Sequence, residues 1–295
     1  MADFASRLKQ LRKERKLRQI DLADEMGVAQ TTIANYEQHS RFPDEETLRK
    51  IANFLEVSLD FLLGRSDVNL LSNRANTAAL NKEHLSDLAK GYIGELLAGR
   101  KEEAYSLIIN EAKAGKTIRS IYAEVFESAL IEVGSKWEIN EIDVSREHYF
   151  SEATESLMGQ LRAYLQTPDT ARGILLAVTV NGEFHQIGIK MITDILEEEG
   201  WQTFYIGINT PTADLVKGIL ETDADVLAIS ATMAFNADSV ANMILHIRSA
   251  LRKSRKELKI VVGGLAFASD RDLWQRVGAD SYAGSLAGAV STINS

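Results

Sequence analysis

The sequence predicts a multidomain chain: an all-α head, a four-helix bundle, and an α/β body built as a doubly wound parallel five-stranded sheet. Three observations predict it. From Arg172 onward, short β-branched runs alternate with amphipathic helical runs, the pattern of a parallel sheet covered by helices on both faces. Residues 82–165 keep helical spacing throughout with short breaks, which implies antiparallel helices of a bundle. Residues 3–63 read as five short helices with a tight turn at Gly27. The expected boundaries are a head at 1–65, a linker at 66–81, a bundle at 82–166 and an α/β body at 171–295.

In the head, Phe4, Leu8 and Leu11 give the first helix a buried stripe. "RQIDLADEMGV" is a second helix stopped by Gly27, and "AQTTIANYEQ" a third. "PDEETLRKIANFLEV" opens with Pro43 and acidic residues, both helix-start signals, and "SLDFLLG" closes at Gly64. The polar stretch "RSDVNLLSNRANTAALN" reads as the linker. Bundle helices are expected near 82–98, 101–114, 117–136 and 143–165, with breaks at Gly99, Gly115 and "EINEID". The strands are "GILLAVTV", "WQTFYIG", "DVLAIS", "LKIVVGG" and a short "ADSYAG".

Composition narrows the function. The 295 residues include no cysteine, so disulfides, iron–sulfur clusters, cysteine-bound zinc and thiol nucleophiles are excluded. No apolar run reaches the ~18 residues of a membrane span, and the N-terminus lacks a secretory h-region, so a cytoplasmic protein with no membrane partner is expected. No Ser-His-Asp set, Walker loop or paired catalytic carboxylates stand out, so an enzyme is not expected. The net charge of −9 is unevenly spread, with seven basic residues against only Glu14 between Arg7 and Arg18. A basic head on an acidic body suggests a local nucleic-acid contact, and a solvated helix face is the plainer alternative.

Over nearly its whole length the head resembles the Cro/lambda-repressor (XRE) helix-turn-helix family, through "LRKERKLRQIDLADEMGVAQTTIANYEQ" and "FPDEETLRKIANFLEVSLDFLL". Val28, Ile33 and Tyr36 are spaced to bury one face of the third helix, beside Ala23 and Gly27. The resemblance implies a double-stranded DNA operator as partner, with Gln30, Thr31, Thr32 and Asn35 facing the major groove. It also implies that Gln19 braces Gln30, while Arg12, Arg18 and Arg41 are expected at phosphates. A helical protein-interaction domain with the same packing is the alternative.

The body carries "EFHQIG" directly after its first strand, with Glu183, His185 and Gly188 at carboxylate-x-His-x-x-Gly spacing. "SAT" (Ser230 to Thr232) follows the third strand and Gly263–Gly264 the fourth, all at strand carboxyl ends on one rim. A lone histidine there is more often a packing or capping residue. The combination, however, looks like the flavodoxin-like cobalamin-binding fold. That resemblance implies His185 as the lower axial ligand of cobalt and Glu183 as the holder of its far ring nitrogen. Gly188 would let the displaced nucleotide tail pass, and Ser230, Thr232, Gly263 and Gly264 would line its slot. Glu183 and Thr232 stand where Asp and Leu are commoner. Another nucleotide-like ligand is the alternative.

In the bundle, "WEINEIDVSREH" places nine intervening residues between Trp137 and Glu147–His148. This spacing resembles that of CarH-type photoreceptor repressors, which enclose the 5′-deoxyadenosyl group of adenosylcobalamin. On that resemblance Trp137 packs on the adenosyl group, Glu147 accepts from ribose hydroxyls, and His148 lies beside them. A core Trp and a helix-start Glu are the plainer reading. Those photoreceptors that cap cobalt with a second histidine carry it right after the Trp; here that residue is Glu138, so the illuminated form is expected to keep water or recruit His148.

The resulting expectation is a light-responsive regulator, a repressor by resemblance. Photolysis of the cobalt–carbon bond would change a dimeric or tetrameric homo-oligomer and so DNA binding. Two alternatives stay open: a light-independent cobalamin or redox sensor, and a corrinoid methyl-transfer protein.

Overall fold

The computed structural model describes residues 4–55, 57, 59–64, 85–139, 141–169, 171–180, 183–232, 236–254, 256–268, 270 and 272–295. The expected linker at 66–81 and the first residues of the expected bundle lie outside them. The chain divides into two compact units, 1–79 and 80–295.

The first unit holds α1 (Phe4–Glu14), α2 (Gln19–Met26), α3 (Gln30–Glu37), α4 (Glu45–Phe54) and α5 (Leu59–Leu62). Leu8, Leu22, Ile33, Ile51, Leu55 and Leu62 are fully buried at its centre, with Ala23 and Tyr36 beside them. Gly27 ends α2 in the left-handed conformation (φ 68°), which a residue with a Cβ adopts only under strain. The chain can therefore reverse at once into α3.

The second unit begins with α6 (Asp87–Leu97) and α7 (Lys101–Lys113). A third run follows as α8 (Ile118–Ile121), a π turn (Tyr122–Phe126) and α9 (Glu127–Glu138); α10 (Val144–Leu161) completes the bundle. The Ser86, Thr117 and Asp143 side chains cap α6, α8 and α10, each accepting a backbone N–H of the first turn. The π turn departs from the plain helix that the spacing predicts. It brings two rings into stacking, with centroids 5.4 Å apart: Phe126 packs on Tyr92 in the bundle core, while Tyr122 reaches out of the bundle.

The sheet strands are β1 (Gly173–Thr179), β2 (Trp201–Gly207), β3 (Val226–Ser230), β4 (Lys259–Gly263) and β5 (Ser281–Ala283). All pairs are parallel in the order β2-β1-β3-β4-β5, so the doubly wound five-stranded sheet stands as read. Helices α11 (Ile187–Glu198), α12 (Thr212–Thr222), α13 (Ala237–Ser254), α14 (Leu273–Arg276) and α15 (Leu286–Asn294) fill the connections and the end. Alternate strand residues separate two cores. Leu176, Val178, Leu227, Ile229, Ile260 and Val262 face α12 and α13. Leu175, Ala177, Val226, Ala228 and Val261 face α11 and α15.

The second core does not stop at those helices. It continues into the bundle through residues such as Ile121, Tyr122, Phe150, Leu157 and Leu161. Bundle and sheet, expected as separate domains, therefore share one apolar core. A charged seam reinforces it. Tyr122 donates its hydroxyl to buried Asp194 of α11 at 2.7 Å, and Arg162, just past α10, pairs with Asp194 and with Glu197. Burial, then the negative charge of Asp194, holds the Tyr122 phenol far above its ordinary value, so it remains a donor. Among the described residues no helix is long and apolar enough to cross a membrane.

Tyr122→Phe removes one donor from this buried carboxylate while keeping the ring. We expect unit 80–295 to lose about 1–3 kcal/mol, read as a lowered urea midpoint at unchanged slope.

Candidate functional site

The register aligns Thr179 with Ser230 and Ser230 with Gly263, so the carboxyl ends of β1, β3 and β4 form one rim. β1 lies between β2 and β3, and the loops leaving β1 and β3 part at this point of the sheet, where open α/β folds bind ligands. Glu183 and His185 stand in the loop between β1 and α11.

Glu183 is 1% exposed, and a carboxylate that deep needs donors around it. It has them. One oxygen takes the Thr232 backbone N–H at 2.7 Å and the Asn236 amide at 3.1 Å. The other takes the His185 backbone N–H at 3.1 Å and meets the imidazole Nδ1. The ring itself is 59% exposed, with Nε2 as the nitrogen left to bind a ligand. The longer Glu in place of Asp thus still reaches Nδ1. The Thr232 side chain is immaterial to this bond, which uses its backbone.

The rest of the rim divides. A Cβ built on Gly188 would meet nothing within 4 Å, so open space adjoins the start of α11. Gly264 is different. Its φ is 97°, and a Cβ there would fall 2.3 Å from the Ala231 carbonyl oxygen. The sequence reading took the glycine pair as room for a ligand; at Gly264 the chain's own backbone occupies that room.

α10 runs beside α11 in the same direction. Glu155 meets Gln186 and Lys190 at the head of α11, and Arg162 meets Asp194 and Glu197 towards its foot. Glu147, Ser151 and Glu155 follow at four-residue intervals on one stripe of α10, and Ser151 donates to Glu147 at 2.8 Å. Eight residues of helix place Glu147 about 12 Å from Glu155, towards the N-terminal end of α10. Trp137 lies in the last turn of α9 and Glu147–His148 in the first turn of α10, on either side of one short turn. Trp137 is 44% exposed, Phe184 beside His185 is 70% exposed, and Val144 is exposed as well. Among the described residues no three His, Asp or Glu side chains form a metal cage.

In the head, Ile33 and Tyr36 are buried and Val28 packs against them, leaving Gln30, Thr31 and Asn35 exposed and Thr32 half-buried. Two expectations need correction. Arg12 is no phosphate contact: its guanidinium is buried, grips Glu37 at 2.5 and 2.9 Å, and donates to the Leu17 carbonyl at 2.7 Å. Gln19 gives its amide to Glu37 at 2.9 Å, and a bond to Gln30 is not found among the described residues. Arg18 and Arg41 are exposed, Arg18 being paired with Asp21 at 2.7 Å.

Sequence reasoning missed Asn236, Glu155, Gln186 and Glu37. Each lies far along the chain from at least one of its partners, and none falls on a recognised spacing.

Comparison with known proteins agrees with this division of labour. Residues 8–62 match the family described as helix-turn-helix, and residues 173–292 match a B12 binding domain. Residues 88–162 match a second family, also described as a B12 binding domain. The dimethylamine corrinoid protein 3 of Methanosarcina acetivorans is 28% identical over 190 residues, covering 61% of this chain and 87% of that protein. The uncharacterized HTH-type transcriptional regulator YqaE of Bacillus subtilis is 42% identical over 73 residues, 24% of this chain and 63% of that one. The solved monomethylamine corrinoid protein of Methanosarcina barkeri shares the fold, with a TM-score of 0.60 at 22% identity over 72% of this chain and 98% of that one. The chain therefore joins a segment that matches the helix-turn-helix family to two segments that match families described as B12 binding domains.

Glu37 holds α1, α2 and α3 together, and its titration is a handle on the head. Burial pushes its carboxyl up, but hydrogen bonds from Arg12 and Gln19 with the Arg12 charge outweigh burial, leaving it below the usual glutamate value. The stability it contributes is present above that usual value and lost as pH falls through the lowered one. Amide protection over residues 30–37 should decline on acidification in the wild type, and Glu37→Gln should flatten that decline.

Proposed function

We propose that the protein is a light-responsive transcriptional regulator that uses adenosylcobalamin and binds a double-stranded DNA operator through its head. The observation that carries the reading is the exposed His185 imidazole, held through Nδ1 by a buried, fully partnered Glu183 on the strand-end rim. When bound, adenosylcobalamin supplies a cobalt–carbon bond that visible light breaks.

The chain's own residues would then act as follows. His185 would hold the cofactor's metal through Nε2, and Glu183 would fix the tautomer and orientation of its ring. Asn236 and the Thr232 backbone hold Glu183 in turn. Open space at Gly188 and the rim residues Ser230, Thr232 and Gly263 would border the nucleotide tail. Trp137, Glu147 and His148 face the upper side, and only a ligand with different affinities for two arrangements of those groups can bias an oligomer. The exposed Gln30, Thr31 and Asn35 and the half-buried Thr32 would read bases, while Arg18 and Arg41 would meet phosphates. The helix-turn-helix head supports a regulator over a methyl-transfer carrier, although the corrinoid-protein relatives share the body. Repression is the sense of control proposed.

Full-length protein should bind adenosylcobalamin with the histidine-ligated visible spectrum, and His185→Ala should lose that spectrum and most of the affinity. Size-exclusion chromatography with the cofactor should give different elution in darkness and after green light. An unchanged profile on a protein that still binds the cofactor would replace the light switch by a cobalamin or redox sensor.

A further inference from the structure

We propose that Glu155 is a positioning residue: by tying Gln186 and Lys190 to α10, it sets the height at which Glu147 and His148 stand over His185. The proposal rests on the cobalamin reading above and concerns a link between the two sides of that site.

Gln186 follows His185 directly, so whatever orients it also orients the loop that carries the imidazole. Its amide is held at both ends. The nitrogen donates to both Glu155 oxygens, at 3.2 and 3.1 Å, and the oxygen accepts the Tyr205 hydroxyl at 2.7 Å. Burial, then the Glu155 charge, pushes the Tyr205 phenol up to about 12, so it stays a donor at any physiological pH. The same carboxylate pairs with Lys190, whose ammonium lies 5.2 Å from the Tyr205 ring centre. Glu155 and Lys190 are each about a quarter exposed, so the contact is only partly screened by water.

Geometry gives this contact its leverage. The ties between α10 and α11 at Glu155 and at Arg162 are seven residues apart, about 10 Å of helix. Arg162 and Tyr122 pin the lower end, while Glu155 pins the end nearest the rim. Beyond Glu155 the helix continues upward with Ser151 and Glu147, themselves hydrogen-bonded on the same stripe. Without the upper tie, α10 is held to α11 by charge only at its foot, and its first turns can change their distance from the imidazole. The imidazole keeps its own bond to Glu183, which does not involve Glu155, so the loop retains one hold while α10 loses its upper charged tie.

The test uses the full-length chain with Glu155→Ala, Gln186→Ala and the double variant, probed with adenosylcobalamin and hydroxocobalamin by visible absorption. We expect Glu155→Ala to reduce the preference for adenosylcobalamin about tenfold, with hydroxocobalamin affinity changed by no more than about twofold. The double variant should add little, since both changes cut one link. In cofactor-free protein, amide exchange over residues 144–151 should quicken about fivefold or more in Glu155→Ala, while residues 92–96 stay unchanged. Equal weakening for both cobalamins, or unchanged exchange over 144–151, would overturn the proposal. Wild-type protein that takes up no cobalamin overturns the functional reading instead, and the exchange measurement then decides the clamp alone.

Discussion

A carboxylate with 1% of its surface in water has to be surrounded by donors, and around Glu183 that requirement organises the site. Its oxygens gather N–H groups from the loop after β1 and from the loop after β3. Those loops flank the crevice where the sheet's connections diverge, so one side chain staples the crevice and aims the imidazole. Thr232 contributes through its backbone, which explains how a side chain unusual for this place leaves the arrangement intact. Asn236 contributes a side-chain amide, a donor that carries no titrating proton.

The next constraint is the shared core. The bundle is packed against α11 and α15 and tied to α11 through Asp194, Glu197 and Glu155. Burial raises the Asp194 carboxyl above its usual value, although Tyr122 and Arg162 pull it down, so the seam keeps its order only while those partners stay in contact. A motion that lifted the entire bundle would expose Tyr122, Leu157 and Leu161 together, at a cost of about 1.5–3 kcal/mol for each large apolar side chain. In the turn between α9 and α10, Trp137, Ile139 and Val144 are already exposed, and Ile142 is buried in the core. Movement confined to that turn would uncover fewer large apolar side chains and costs less.

These relations were unequally legible in the sequence. Strand and helix periodicity carried the parallel sheet, because strands buried on both faces read as short apolar runs. The Glu183–His185 pair was legible because both residues sit in one loop, two positions apart. Arg12 misled: it stands in a basic run, and composition cannot separate an arginine facing solvent from one buried against Glu37, twenty-five residues later. Asn236, Glu155 and Tyr122 were invisible for the same reason, since each acts on a partner dozens of residues away. The π turn at Tyr122–Phe126 was equally hidden, as five ordinary helix-compatible residues do not announce one extra residue per turn.

Removing Arg12 from the DNA surface bears on how such a head could work. Arg7 is buried too, against the Phe61 ring, so part of the basic run serves the core of the head. Fewer phosphate contacts mean a weaker, less salt-sensitive grip for one head, because each neutralised phosphate contributes to affinity through released counterions. A single weak head is a poor switch when it acts alone, yet it suits an assembly. Two linked heads convert the second binding event into an intramolecular one and gain about 10²–10⁴ in avidity without a new contact. On the proposed reading, a change of oligomer in the B12-binding body would then carry most of the difference between bound and free DNA, and the head itself need not change shape.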